Sequence, residues 1–195
     1  MRFFRRFAST FFFALLACAI ALSQTAPAPS LAPRTPGAQD DKTAMMAREF
    51  GPRFTLLPDF PIMAGDLDGD GTEDLVFVVT GKNPLLSEGE FGFKVIDPYN
   101  SFFGYGDPKI TMTFGTLEPG TTKYVLILHN WRADVAKKKF AIVNFPFTKL
   151  ELGKIVNKKK KPEMALEAQE TGGLNSVVYW DGKKYKWEVM GESDK

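Results

Sequence analysis

Nine residues, Asp66-Leu67-Asp68-Gly69-Asp70-Gly71-Thr72-Glu73-Asp74, run straight into Leu75-Val76-Phe77-Val78-Val79-Thr80. The second segment is β-branched and aromatic, which predicts a buried strand rather than a helix. The first places carboxylates at positions 1, 3, 5 and 9 and a glycine at position 6. Two carboxylates held about 4–5 Å apart repel by roughly 3–4 kcal/mol at an effective dielectric near 20, so such spacing calls for a cation. Calcium takes about six to eight oxygens at roughly 2.3–2.6 Å, and a short loop supplies them by curling round the ion. Asp66, Asp68, Asp70 and Asp74 offer side-chain oxygens, and Thr72 offers its backbone carbonyl. Gly71 permits the sharp turn, because glycine takes positive φ without steric cost. The competing reading is an acidic, solvated turn between two strands.

An EF-hand needs a bidentate Glu at position 12 and a helix on each side. Position 12 here is Phe77 and the exit is a strand, so this loop belongs to a β context. Residues 64–76, from Ala64-Gly65-Asp66 to Asp74-Leu75-Val76, resemble the calcium loop of FG-GAP/VCBS-type repeats, best known from integrin-like propellers. The resemblance implies Ca2+ as the cofactor, with Asp66, Asp68, Asp70 and Asp74 as side-chain ligands and the carbonyl of Thr72 as a fifth. Such repeats occur in arrays, and this chain carries one copy. A propeller takes about four or more blades, so a complete propeller is not expected.

The N-terminus predicts export. Arg2, Arg5 and Arg6 precede an uncharged run from Phe7 to Leu22, and Ala21-Leu22-Ser23 fits cleavage before Gln24. Residues 1–23 then form a signal peptide, and the mature chain carries no transmembrane span. Cys18, the only cysteine, lies in Leu15-Leu16-Ala17-Cys18, a loose lipobox. A lipid anchor at Cys18 is therefore the alternative to ordinary cleavage. Losing Arg2, Arg5 and Arg6 takes Lys plus Arg from 25 to 22 against 23 Asp plus Glu, leaving −1. The apparent basicity belongs largely to the leader, so it argues for neither a nucleic-acid nor an acidic partner, and no nucleic-acid partner is expected. Ordinary cleavage leaves no disulfide, so a core and bound metal must provide stability outside the cytoplasm.

Residues 24–51 read as a Pro/Ala-rich, disordered tether with a short helix near Asp41–Arg48, stopped by Gly51-Pro52. Residues 52–191 suit one domain, and its pattern is mainly β. Strands are expected at Phe91–Ile96, Ile110–Phe114, Tyr124–His129, Phe140–Asn144, Met164–Gln169, Ser176–Trp180 and Tyr185–Met190. Leu150–Val156 reads as strand or a turn of helix. The last two strands flank Asp181-Gly182-Lys183-Lys184, a hairpin signal. The expected fold is a β-sandwich or a meander of small antiparallel sheets.

Catalytic candidates are sparse. His129 is the only histidine, no serine sits in a Gly-x-Ser-x-Gly turn, and zinc needs more His or Cys ligands. His129 is expected to be a structural, hydrogen-bonded residue at a sheet edge. Lys137–Lys139 and Lys158–Lys161 read as solvated turns guarding sheet edges. The segment from Pro98 to Pro108 places Tyr99, Phe102, Phe103 and Tyr105 among glycines and prolines. Those rings either fold back over the sheet or present a surface for a protein or glycan ligand near Tyr99–Tyr105. Asp97 and Asp107 lie at its ends. The sequence thus reads as an exported, periplasmic or extracellular, non-catalytic β domain stabilised by calcium, a binding or structural module at the bacterial envelope. A secreted glycan-directed hydrolase with structural calcium is the alternative.

Overall fold

The computed structural model describes residues 36–103, 122–133, 137–156 and 162–190. They lie in one unit, Thr35–Lys195, and form two β-sheets with a helix on the outer face of the larger one. The signal peptide, Cys18, the strand expected at Ile110–Phe114, Tyr105, Asp107 and Lys158–Lys161 lie outside the described residues.

The first sheet holds six strands: β1 (Phe54–Leu56), β2 (Met63–Gly65), β3 (Asp74–Gly81), β4 (Lys94–Ile96), β5 (Lys123–Leu128) and β6 (Lys139–Ile142). Their order is β1-β3-β5-β6-β4, with β2 also paired to β3. β1 and β2 take opposite ends of β3, at Val79–Gly81 and at Asp74–Val76. The second sheet is an antiparallel meander, β10-β9-β8-β7, from β7 (Phe147–Val156), β8 (Pro162–Glu170), β9 (Asn175–Trp180) and β10 (Tyr185–Val189).

Alternation along β3 and β5 explains why both read as unbroken apolar runs. Val76, Val78, Val125 and Ile127 face the second sheet, where Leu166, Val178, Trp180, Tyr185 and Trp187 meet them. Leu75, Phe77, Val79, Leu126 and Leu128 point the other way, toward Met46 and Phe50 of α1 (Pro36–Phe50), Phe54 and Phe93. Successive side chains of a strand take opposite faces, so a strand covered on both sides needs apolar residues throughout. Phe77 is fully buried, and burying such a ring contributes about 1.5–3 kcal/mol.

The mainly β, two-sheet architecture is the expected one; several details differ. β4 runs parallel to β6, so the first sheet is not purely antiparallel. Leu150–Val156 is strand throughout. The helix expected near Asp41–Arg48 is longer, Pro36–Phe50, and replaces the C-terminal end of the expected tether. Only Lys94–Ile96 of Phe91–Ile96 is strand, because Glu88–Phe91 forms a helical turn, α2, closed by Gly92 at φ +66°. Pro98–Phe103 is helix α3 rather than an irregular loop.

The Lys137–Lys139 run is not a solvated turn. Lys137 and Lys139 reach the Glu49 carboxylate at 3.6 and 3.5 Å, and Lys139 also donates to the Glu49 carbonyl at 3.1 Å. Burial works against ionisation of Glu49, but Arg48, Lys137 and Lys139 outweigh it and hold the carboxyl below its ordinary value. These contacts pin the end of α1 to the start of β6.

Candidate metal centre

Strand register builds the site. Gly65 pairs with Asp74, so residues 66–73 are the connection of a β2–β3 hairpin. Leu75 pairs with Leu128, which brings that connection beside His129 and Asn130 as the chain leaves β5. Asp74 lies two residues before Val76, and His129 two after Ile127. Both therefore sit on the face turned toward the second sheet.

Within the hairpin connection, Asp66 organises the backbone. Its Oδ1 accepts from the N–H groups of Gly69 and Asp70 at 2.8 and 3.1 Å, and its Oδ2 from Gly71 at 2.9 Å. Gly69 and Gly71 take φ of +72° and +86°, the left-handed turn expected of Gly71. Thr72 donates its N–H and its hydroxyl to Asp70 Oδ1, at 2.8 and 2.5 Å. Asn130 Nδ2 donates to the other Asp70 oxygen at 2.9 Å. The Thr72 hydroxyl, then the Asn130 amide and the Thr72 N–H, pull the Asp70 carboxyl down to about 2.

Asp74 is buried and holds two segments together. Its Oδ2 accepts from Leu67 N–H at 2.8 Å and its Oδ1 from Asn130 N–H at 2.9 Å. Burial nevertheless pushes its carboxyl up, and the neighbouring Asp68 charge pushes the same way. Asp68, whose side chain is only 3 % exposed, bonds through Oδ2 to His129 Nδ1 at 2.9 Å. Lys138 stands 3.6 Å from that same oxygen. The other oxygen of Asp68, Oδ1, is buried with no hydrogen-bond partner, and so is Oδ1 of Asn130.

Five residues were expected to ligate. One oxygen from each of Asp66, Asp68 and Asp70 falls within 4.8 Å of the others, and Asp68 and Asp74 group equally closely with His129. Asp68 belongs to both groups. The hydrogen bonds already made do not exclude ligation, because an ionised carboxylate offers about four lone-pair sites. The two groups differ in kind. In the second, both His129 nitrogens are engaged, Nδ1 by Asp68 and Nε2 by the Tyr185 hydroxyl at 2.6 Å. His129 is there a hydrogen-bonded support, whereas the first group is made of oxygens only and suits a hard cation.

His129 is hydrogen-bonded, but not at the sheet edge where it was expected. It is fully buried between the sheets, ringed by Phe140, Trp180 and Tyr185, and it ties the loop to β10. Sequence reasoning missed this tie, along with Asn130, Tyr185 and Trp131. Trp131 caps the loop by donating its indole N–H to Glu73 at 3.0 Å, and Arg132 pairs with Glu73 at 3.3 Å.

The carboxylates near the aromatic segment are engaged structurally. Asp97 is buried and accepts from Asn144 Nδ2 at 2.6 Å. Tyr99 stacks on Trp187 with ring centres 4.7 Å apart, and its hydroxyl donates to buried Glu170. Glu170 also accepts from Ser176 and from the Trp187 indole. Phe102 meets Trp187 edge-on at 4.9 Å and stays half exposed. Among the described residues, no helix is long and apolar enough to cross a membrane.

No family model, curated protein or solved structure matches the chain. The likeness to FG-GAP/VCBS loops therefore rests on residues 64–76 alone.

Proposed function

We propose that this chain is an exported, non-catalytic β domain whose 66–74 loop takes calcium, acting as a binding or structural module at the bacterial envelope. The observation that carries the reading is Asp68, whose buried Oδ1 has no partner and whose carboxylate groups with those of Asp66 and Asp70. Leaving a buried acceptor unpaired costs about 1–3 kcal/mol, more for a charged group. A cation removes that cost and also relieves the repulsion between Asp68 and Asp74. Asp66, Asp68, Asp70, Asp74 and the Thr72 carbonyl are the groups we assign to it, as the loop resemblance implies. Calcium here would be structural. At ~2 mM calcium and a Kd of ~0.1 mM, binding to the folded state alone adds about 1.8 kcal/mol.

The ligand surface we assign lies between α3 and β10. Pro98, Phe102, Lys184, Lys186, Trp187 and Glu188 line a cavity of about 190 Å³ there. A half-exposed ring set among hydrogen-bonding side chains suits the face of a sugar.

Thermal melts in calcium and in EDTA test the metal reading, with Trp131, Trp180 and Trp187 as reporters. We expect calcium to raise the Tm of the wild type and to leave Asp70→Ala unmoved. An equal rise in both would refute the assignment.

A further inference from the structure

Asn130, two residues past the end of β5, has no place in a loop-only cation site, yet it is built into this one. Asn130 takes φ +54°, a left-handed conformation that asparagine tolerates better than most side chains. It touches two loop carboxylates at once, through its backbone N–H to Asp74 and its Nδ2 to Asp70, both at 2.9 Å. The oxygen of the same amide, Oδ1, is buried and has no donor. The same amide thus meets a carboxylate through its nitrogen while its oxygen is left over. Buried polar atoms find partners in the great majority of cases, so an unsatisfied one needs an explanation. Asp68 Oδ1 is the second such atom in this cluster. Both oxygens are acceptors that a cation would satisfy, one from the loop and one from the exit of β5, and side-chain amide oxygens are regular calcium ligands.

We propose that Asn130 supplies its side-chain oxygen to the cation held by Asp66, Asp68 and Asp70, so that the site is assembled from the β2–β3 hairpin and the exit of β5 together. This rests on the calcium reading above. Asn130 is then a ligand from outside the nine-residue loop. Occupancy of the site clamps the turn that follows β5 and, through neighbouring His129, the edge of the second sheet at Tyr185.

The test uses calcium itself and terbium, a luminescent stand-in of similar size that Trp131 is placed to sensitise. Asn130→Gly keeps the left-handed backbone and the N–H to Asp74 while deleting the oxygen. Asn130→Asp keeps an oxygen. We expect Asn130→Gly to weaken calcium binding at least about tenfold and to admit about one extra water to bound terbium, read from lifetimes in H2O and D2O. Asn130→Asp should restore binding to near the wild-type level or better. An unchanged affinity and water count in Asn130→Gly would overturn the proposal. So would weakened binding that Asn130→Asp fails to rescue, because the amide would then act only by holding Asp70. A wild-type protein that binds neither ion would bring down the calcium reading and this proposal with it.

Discussion

Oδ2 of Asp68 lies 2.9 Å from Nδ1 of His129, a residue 61 positions later in the chain, and Nε2 of that ring lies 2.6 Å from the Tyr185 hydroxyl. The acidic loop, the first sheet and the second-sheet meander are thus joined through one imidazole. Both ring nitrogens are used, and the ring is fully buried. Its replacement by an apolar residue of similar size strands a carboxylate oxygen and a phenol together. His129→Leu should therefore lose about 2–4 kcal/mol in urea unfolding, while Tyr185→Phe, which deletes a single bond, should lose about 1 kcal/mol. Equal losses would mean that the Asp68 side of the relay contributes nothing.

Glu170 presents the opposite case, a buried carboxylate surrounded by donors. Tyr99, Ser176 and the Trp187 indole all point at it. Burial and the Glu170 charge hold the Tyr99 phenol well above its ordinary value, so it remains a donor through the neutral range. Glu170→Ala leaves three donors without an acceptor and should cost about 3–5 kcal/mol, measured by chemical denaturation. Glu170→Gln retains one oxygen and should cost less than half as much.

Gly51 ends α1 at φ +91°, donating its N–H to the Ala47 carbonyl at 2.9 Å. A Cβ there would come within 2.4 Å of the Phe91 ring. The left-handed backbone alone costs a non-glycine residue about 1–2 kcal/mol. Gly51→Ala should lower stability by about 2 kcal/mol or more, as Phe91 is displaced from the face it shares with α1. A melting temperature equal to that of the wild type would show that α1 end and Phe91 move freely.

Asp181 gives the acid side of the pH profile. Burial opposes its ionisation, but the Lys186 ammonium at 2.8 Å and the N–H groups of Lys184 and Lys183 prevail and bring the carboxyl to about 2. Its unfolded value is 3.8. Because the folded value is the lower one, the contribution is complete above pH 3.8 and disappears as pH falls through about 2. The stability gap between wild type and Asp181→Asn should hence be constant from neutrality down to about pH 5, then close between about pH 4 and pH 2. Urea midpoints at stepped pH measure it; a gap that widens on acidification contradicts the pairing.

Local patterns were readable from the chain, and distant pairings were not. The hairpin at Asp181–Lys184 follows from Asp-Gly between apolar strands, and it forms with Tyr185 opposite Trp180. The acidic spacing located the loop because its geometry is set by residues within a few positions of one another. Asn130 and His129 escaped, since only the β3–β5 register brings them there; a lone His-Asn pair closing an apolar strand was the available hint. β1 and β2, of three residues each, are too short to show alternation. Lys137 and Lys139 looked like solvent-facing charge because nothing local announces Glu49. The Tyr99 segment read as a loop from its glycines and prolines, yet its first residues form a helix from which Tyr99 reaches Trp187.

The long reach of Asn130 also fixes an order of events during synthesis. Its partners Asp70 and Asp74 lie 60 and 56 residues upstream. Closing so large a loop carries an entropic cost before any contact rewards it, and non-local pairings of this kind slow folding. A nascent chain that has emerged only as far as β3 presents aspartates with local partners alone. They gain Asn130 and His129 only after β5 has docked, so the local turn of the hairpin can form first and its cross-strand support comes last.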